Sequence, residues 1–412
     1  MKIPKIIPMV LFAGSIFLTS GKFVNETNTP KFYFVVVILL VASVVTVIHK
    51  KQINLGVFSS KTILWGINVI CFLQACYGLS QFVGWFPSDH SRYTVAGSFD
   101  NPAGFAAVLS MGFPIGLLLL TKARRVEKYL ASATLAAIVI AVFFSGSRAG
   151  MLAIIASSVV FLIFQPNAIS KLRQLTHRKL LAVLIVACFA SGAFILYNQK
   201  KDSSNGRLLI WKVSTEMIKD KPFWGHGYGA FQARYMDYQA EYFKNNPNSA
   251  YSQLADNVKR PFNEFIKVTV EFGLTGLTVA LLIILFVFLK IVKSENKYRG
   301  LVLSGLASFF VYTCFSYPLY YVAVWLLLAF YLFTLLPSKE IKIRNAPILI
   351  ITRTVIVLAC AFFLCHVYKQ IRAEIKWKTI AVSSLRGSTE IMLPEYEKLH
   401  STPLKRVLTL IK

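Results

Sequence analysis

Apolar runs of membrane-span length alternate with short polar links along most of this chain, and the alternation lapses once, over about residues 199–261. The runs predict helices near residues 6–20, 32–48, 62–83, 103–121, 129–144, 151–164, 180–197, 262–289, 301–315, 319–336 and 354–368. Several fall short of the roughly 20 residues that cross a bilayer, so their ends are soft. The pattern reads as an all-α integral membrane protein, a polytopic helical bundle of about 11 spans (10–12) with one large loop on one side. Within that loop, Leu208, Trp211, Thr215 and Ile218 recur at helical spacing, with Lys212, Glu216 and Lys219 between them. They predict an amphipathic helix along the membrane surface, with Arg207 in its first turn.

Composition agrees. Of 412 residues, 56% are hydrophobic and only 15% charged, against about a quarter charged in ordinary soluble domains. The six cysteines, Cys71, Cys76, Cys188, Cys314, Cys360 and Cys365, all lie in apolar runs and form no CxxC pair. They read as small buried hydrophobes rather than metal ligands or disulfides.

The net charge of +27 invites a nucleic-acid reading until its placement is considered. With the amino terminus inside, inner segments hold Lys2, Lys5, Lys50, Lys51, Lys61, Lys122, Arg124, Arg125, Lys128, Lys171, Arg173, Arg178, Lys179, Lys290, Lys293, Lys297, Arg299, Lys339, Lys342 and Arg344. Short outer links hold only Lys22, Lys31, Arg92 and Arg148. This is the positive-inside asymmetry, with added attraction to anionic lipid. It makes nucleic acid unnecessary as a partner and leaves membrane lipids as one. The large loop then lies outside the cytoplasm, as does the polar tail from Lys369 to Lys412. The first span reads as a retained signal-anchor. No internal repeat and no matching pair of broken helices argue for a transporter.

Four outward segments carry the chemistry. Gly97-Ser-Phe-Asp-Asn-Pro-Ala-Gly104 offers Asp100 or Asn101 as a helix cap with Pro102 at the first helical position, a device that also attracts anions. In Ser145-Gly-Ser-Arg-Ala-Gly150, Arg148 sits between spans, where a charge is costly unless it meets a partner, water or lipid head groups. Gly206-Arg207-Leu-Leu-Ile-Trp211 and Pro222-Phe-Trp-Gly-His-Gly-Tyr-Gly229 follow in the loop. Arg207 is held there for a ligand or by a plain salt bridge. The aromatics suit sugar rings and membrane interfaces equally. Where the chain returns to the membrane, Asn263 and Glu264 precede Lys267 and Glu271, and the last three share one helix face. That face is an ion-pair stripe or the wall of a wet cavity.

In this order and sidedness the motifs Gly97–Pro102, Ser145–Gly150, Gly206–Trp211, Pro222–Gly227 and Asn263–Gly276 resemble the O-antigen ligase and polymerase superfamily, over about residues 60–335. The resemblance implies a GT-C-like transmembrane domain at residues 1–368 and a short extracytoplasmic helical tail at 369–412. It further implies a glycosyltransferase of lipopolysaccharide or polysaccharide biosynthesis in the bacterial inner membrane. Such enzymes take glycan from a polyprenyl (undecaprenyl) diphosphate donor to a lipid A core, a growing glycan or a protein hydroxyl. Arg148 and Arg207 would then hold the donor diphosphate, since planar guanidinium groups stabilise growing phosphate charge bidentately. Asn101, Trp211 and Lys267 are substrate-binding candidates. One departure stands out. Family ligases commonly carry His-Asn where this chain has Phe262-Asn263. The general base therefore falls to Glu264 with Asn263, to His226, or to no dedicated group. No Asp-x-Asp lies on the outer face, so no divalent metal or other cofactor is expected. The rival outside this class is a transporter or flippase of lipid-linked sugar.

Overall fold

A computed structural model describes residues 6–49, 52–54, 60–88, 93–122, 124–165, 201–335, 340–342, 346–385 and 394. The expected span at 180–197, the basic link before it, Arg92 and nearly all of the chain beyond 385 lie outside these residues. The other ten expected spans each coincide with an apolar helix. Among the described residues, six helices are long and apolar enough to cross a membrane and four more are shorter. The protein is a helical membrane protein.

The chain forms two compact units. The first contains α1 (Ile6–Phe17), α2 (Asn28–His49), a short antiparallel pair of β1 (Gln52–Asn54) with β2 (Glu340–Lys342), and α12 (Ala346–Leu385). Helix α2 packs on both α1 and α12. Lys378 donates to the Gly21 carbonyl (2.6 Å) and to Glu26, and the Tyr33 hydroxyl donates to Glu374 (3.2 Å). The β pair ties the opposite ends of α2 and α12 together. The α1–α2 turn and the far part of α12 therefore lie together, at the end of α2 opposite the β pair. One expectation needs correction. Lys31 is no outer-loop residue: it lies in the first turn of α2, buried, donating to the Ser98 carbonyl with its ammonium 4.1 Å from the Phe99 ring. The segment expected as a helical tail from Lys369 continues α12, which runs unbroken to Leu385. At 1.5 Å per residue it reaches about 60 Å, twice a hydrocarbon core of roughly 30 Å.

The second unit is built around α4 (Pro102–Lys122), buried along nearly its whole length against α5 (Arg125–Phe144), α6 (Arg148–Phe164) and α10 (Arg299–Phe315). Helix α3 (Lys61–Val83) enters it by its second half, and α11 (Val322–Thr334) by its first. Helices α6 and α10 approach closely because Gly150 leaves room: a Cβ there would stand 2.9 Å from the Tyr312 hydroxyl and 2.7 Å from Val142. The polar segment folds as α7 (Lys201–Asp220) and α8 (Ala230–Asn245) packed on α9 (Glu264–Val292). Their shared core is Leu209, Ile210, Val213, Met217, Phe231, Tyr235 and Val270.

That core corrects the amphipathic reading. The buried face of α7 is Leu209, Ile210, Val213 and Met217, whereas Leu208 is exposed. Both stripes fit a 3.6-residue period, and the face that wins is the one α8 and α9 cover. Arg207 is also not in the first turn, because α7 is already helical from Lys201. Its cation therefore stands clear of the positive end of the helix dipole.

Basic residues gather at the end of this unit remote from Arg148. Lys122 and Lys297 lie 4.5 and 5.3 Å from the Tyr298 ring, and Arg299 donates to the Val292 carbonyl (3.1 Å).

A candidate diphosphate-binding site at one end of the bundle

Five turns and helix ends meet around a cavity of ≈160 Å³. Its wall includes Tyr93, Asn101, Ser145–Ala149, Arg207, Phe262 and Phe315–Tyr317. Among the described residues, its wall holds two arginines and no carboxylate. The volume is well below the roughly 300–1,000 Å³ of sites that bury a whole drug-sized ligand. A recess of this size suits a head group whose remainder lies outside.

Each wall residue is placed by local chemistry. Ser147 caps α6 by accepting from the Gly150 amide (3.2 Å) and lies 3.2 Å from the Tyr312 hydroxyl. Gly146, at φ 66°, makes the reversal from α5 that puts Arg148 at the first position of α6. Arg148 Nη1 then donates to Ser204 Oγ on α7 (2.9 Å). Arg207, also on α7, donates to the Phe315 carbonyl (3.1 Å) and lies 5.1 Å over the Phe262 ring. Burial lowers its pKa, the nearby Arg148 charge lowers it further, and Tyr317 and Tyr93 oppose the shift. Arginine stays charged regardless. Two like charges thus face one recess, and an anion between them would relieve their repulsion.

Of the two candidates, Asn101 is the helix cap. Its Oδ1 accepts from the Ala103 amide (2.7 Å) and the Tyr321 hydroxyl (3.1 Å), and its Nδ2 donates to the Tyr317 hydroxyl (2.7 Å). Asp100 instead accepts from Asn28 (3.1 Å). Asn101→Ala removes the cap and both tyrosine bonds. The expected result is a loss of about 1–3 kcal/mol of stability, measured by thermal unfolding in detergent; an unchanged midpoint would mean that the cap is dispensable.

Phe262, where the resemblance places a histidine in family ligases, has φ 56°, an outlier for a bulky side chain. Such strain persists where the surroundings over-determine it. On one side Trp211 Nε1 donates to the Pro261 carbonyl (2.9 Å). On the other, Asn263 caps α9 at the Ile266 amide (3.0 Å) and donates to the Cys314 carbonyl (3.0 Å). The Phe262 ring meets Tyr317 edge-on at 5.3 Å.

The structure thus brings Arg148, Arg207 and Asn101 together and sets the other candidates off the wall. Trp211 and Asn263 brace Phe262. Glu264 is buried and accepts from the Leu319 amide (3.3 Å), with Lys267 and Arg260 acting on its charge. Lys267 acts on both Glu264 and Glu271. His226 packs with its ring wholly buried, Nε2 2.7 Å from the Met217 carbonyl and Nδ1 3.4 Å from Arg234. A hydrogen bond to a carbonyl makes Nε2 the donor and leaves Nδ1 to accept.

The sequence reading missed Tyr317, Tyr320 and Tyr321. Tyr317 lines the cavity, and the Arg260 guanidinium stacks 3.4 Å from the Tyr320 centroid. The available signal was Ser316-Tyr-Pro-Leu-Tyr-Tyr321, a polar aromatic run between two apolar ones.

Residues 133–281 match the family model described as O-Antigen ligase (Wzy_C). No curated protein matches the chain. The matched stretch includes Arg148, Arg207, Phe262 and the whole polar segment, while Asn101 and Tyr317 lie outside it. Over this stretch, about a third of its length, the chain is similar to the O-antigen ligase family, in line with the order of its motifs.

Proposed function

We propose that the protein is a glycosyltransferase that moves glycan from a polyprenyl diphosphate to an acceptor hydroxyl, at the outer face of the bacterial inner membrane. The observation that carries this reading is the pair of arginines, from α6 and α7, sharing one cavity with no carboxylate among its described lining residues. In the transfer the acceptor oxygen bonds to the anomeric carbon, the bond to the diphosphate breaks and the hydroxyl proton is lost. Negative charge grows on the departing phosphates. Fixed guanidinium groups facing that charge lower the barrier without reorganising. Diphosphate is a good leaving group, so a base adds about 10²–10⁴-fold rather than the whole effect. In this reading Asn263 and Glu264 are positioning residues: they join α9 to the Cys314–Leu319 stretch that carries Tyr317.

The cavity lies at the end of the bundle, away from the middle of the spans, where a transporter would hold its cargo. Purified protein in vesicles, given diphosphate-linked glycan and candidate acceptors, should yield the conjugate and free polyprenyl diphosphate. Movement of the lipid-linked glycan across the bilayer with no new glycosidic bond would replace the enzyme reading by the transporter one.

Sidedness has its own test. A reporter fused after Lys244 should report an extracytoplasmic position and one after Lys293 a cytoplasmic position, following the basic residues. Reversed signals at both points would move the site to the cytoplasmic face.

A further inference from the structure

Helix α9 is two helices. Gly273 breaks it at φ 68°, ψ −169°, and the loop at residues 222–229 fills the break. Amides of His226 and Gly227 donate to the carbonyls of Val270 (2.9 Å) and Glu271 (2.8 Å). Amides of Leu274 and Thr275 donate to the carbonyls of Pro222 (2.7 Å) and Phe223 (3.3 Å). Backbone groups freed on both sides of Gly273 are thereby satisfied by one loop.

The lengths of α9 and α10 differ. Straight, α9 would reach about 43 Å and its neighbour α10 about 25 Å. Yet they meet at both ends, through Asn263 with Cys314 and Arg299 with Val292. The break absorbs the excess by turning residues 264–272 out of the span. Residues 274–292 cover roughly 28 Å, the thickness of a hydrocarbon core. Up to Leu289 they carry no charge, and Leu282, Ile283 and Phe286 are exposed by about 60%; Lys290 lies in the last turn, and Glu264, Lys267 and Glu271 all precede the break.

The side chains at the break are Phe223, Trp224 and Tyr228, exposed by 63%, 81% and 79%. Their backbone is fixed to the first turn of the lipid-facing helix. We infer that these three aromatics insert into the head-group boundary of the bilayer and anchor the α7–α8 lobe to the membrane. Continuity with the lipid-facing face of α9 selects lipid as the occupant, and aromatic residues with one apolar body and one polar edge favour that depth. Lys221, exposed beside them, suits anionic head groups. The anchor does not depend on which reaction the site performs.

A photoreactive benzoylphenylalanine placed at Trp224 in the full chain, in phosphatidylethanolamine–phosphatidylglycerol vesicles, should form lipid adducts seen by mass spectrometry. The same residue at exposed Asn248 should form none. As a second readout, bromine carried near the head group should quench wild-type tryptophan emission more than that of Trp224→Phe, and bromine deep in the chain should reveal little difference. Absence of lipid adducts at 224, or adducts only with an added glycan acceptor, overturns the anchor. So does quenching equal in wild type and Trp224→Phe.

Discussion

Replacing either cavity arginine by lysine is expected to cut glycan transfer by at least about 10²-fold, the scale seen when one preorganised donor to a developing charge is lost. Lysine keeps the charge and loses the planar fork. At Arg207 it also loses the geometry that spans Phe315 and the face of Phe262 (3.1 Å and 5.1 Å), and at Arg148 the reach to Ser204. Neither contact is a large stabiliser, so both variants should insert in the membrane and unfold near the wild-type temperature. The double variant should fall short of the product of the single effects, because the two groups act on one diphosphate. Transfer at wild-type rates in both single variants would refute the diphosphate assignment and leave the arginines as braces between α6, α7 and the end of α10.

What was legible in the sequence and what was not divide along physical lines. The spans at residues 62–83 and 103–121 were readable because burial or lipid contact on all sides demands continuous apolar character, and the structure forms helices at Lys61–Val83 and Pro102–Lys122. The two capped turns were readable because capping is local: Asn101 before Pro102, and Ser147 before Arg148, satisfy amides two or three residues away. The face of α7 was not. Its two apolar stripes differ only in what packs on them, and that choice is made by Phe231, Tyr235 and Val270, which lie far along the chain. Nor was the role of Tyr317, which joins the cavity through Asn101. That the helical tail is continuous with α12 was not legible for another reason: polarity after Tyr368 marks departure from lipid, while the helix itself carries on to Leu385.

Gly273→Ala is expected to cause a large stability loss by adding one methyl group. Gly273 sits where the spacing of apolar residues around it reads as unbroken helix, and only the loop at 222–229, about fifty residues earlier, makes the break necessary. Its φ/ψ pair lies in a region nearly closed to other residues, which costs on the order of 1–3 kcal/mol. The new Cβ would also stand 2.1 Å from the Phe223 carbonyl oxygen and 2.6 Å from the Trp224 amide nitrogen. Both are backbone atoms, and the Phe223 carbonyl is held by hydrogen bonds from Thr275 of α9 itself, so it cannot yield without opening the seam; forced overpacking of this kind adds another 1–3 kcal/mol or so. The total, about 2–6 kcal/mol, should appear as a strongly lowered unfolding midpoint in detergent, together with proteolysis between α7 and α8. Gly206→Ala is the matched comparison. No atom lies within 4 Å of a Cβ built there, and its φ is ordinary for a helix, so alanine should leave stability unchanged or raise it by up to about 1 kcal/mol. If Gly273→Ala unfolds at the wild-type temperature, the loop does not lock the break, and the short half of α9 is free to straighten into the span.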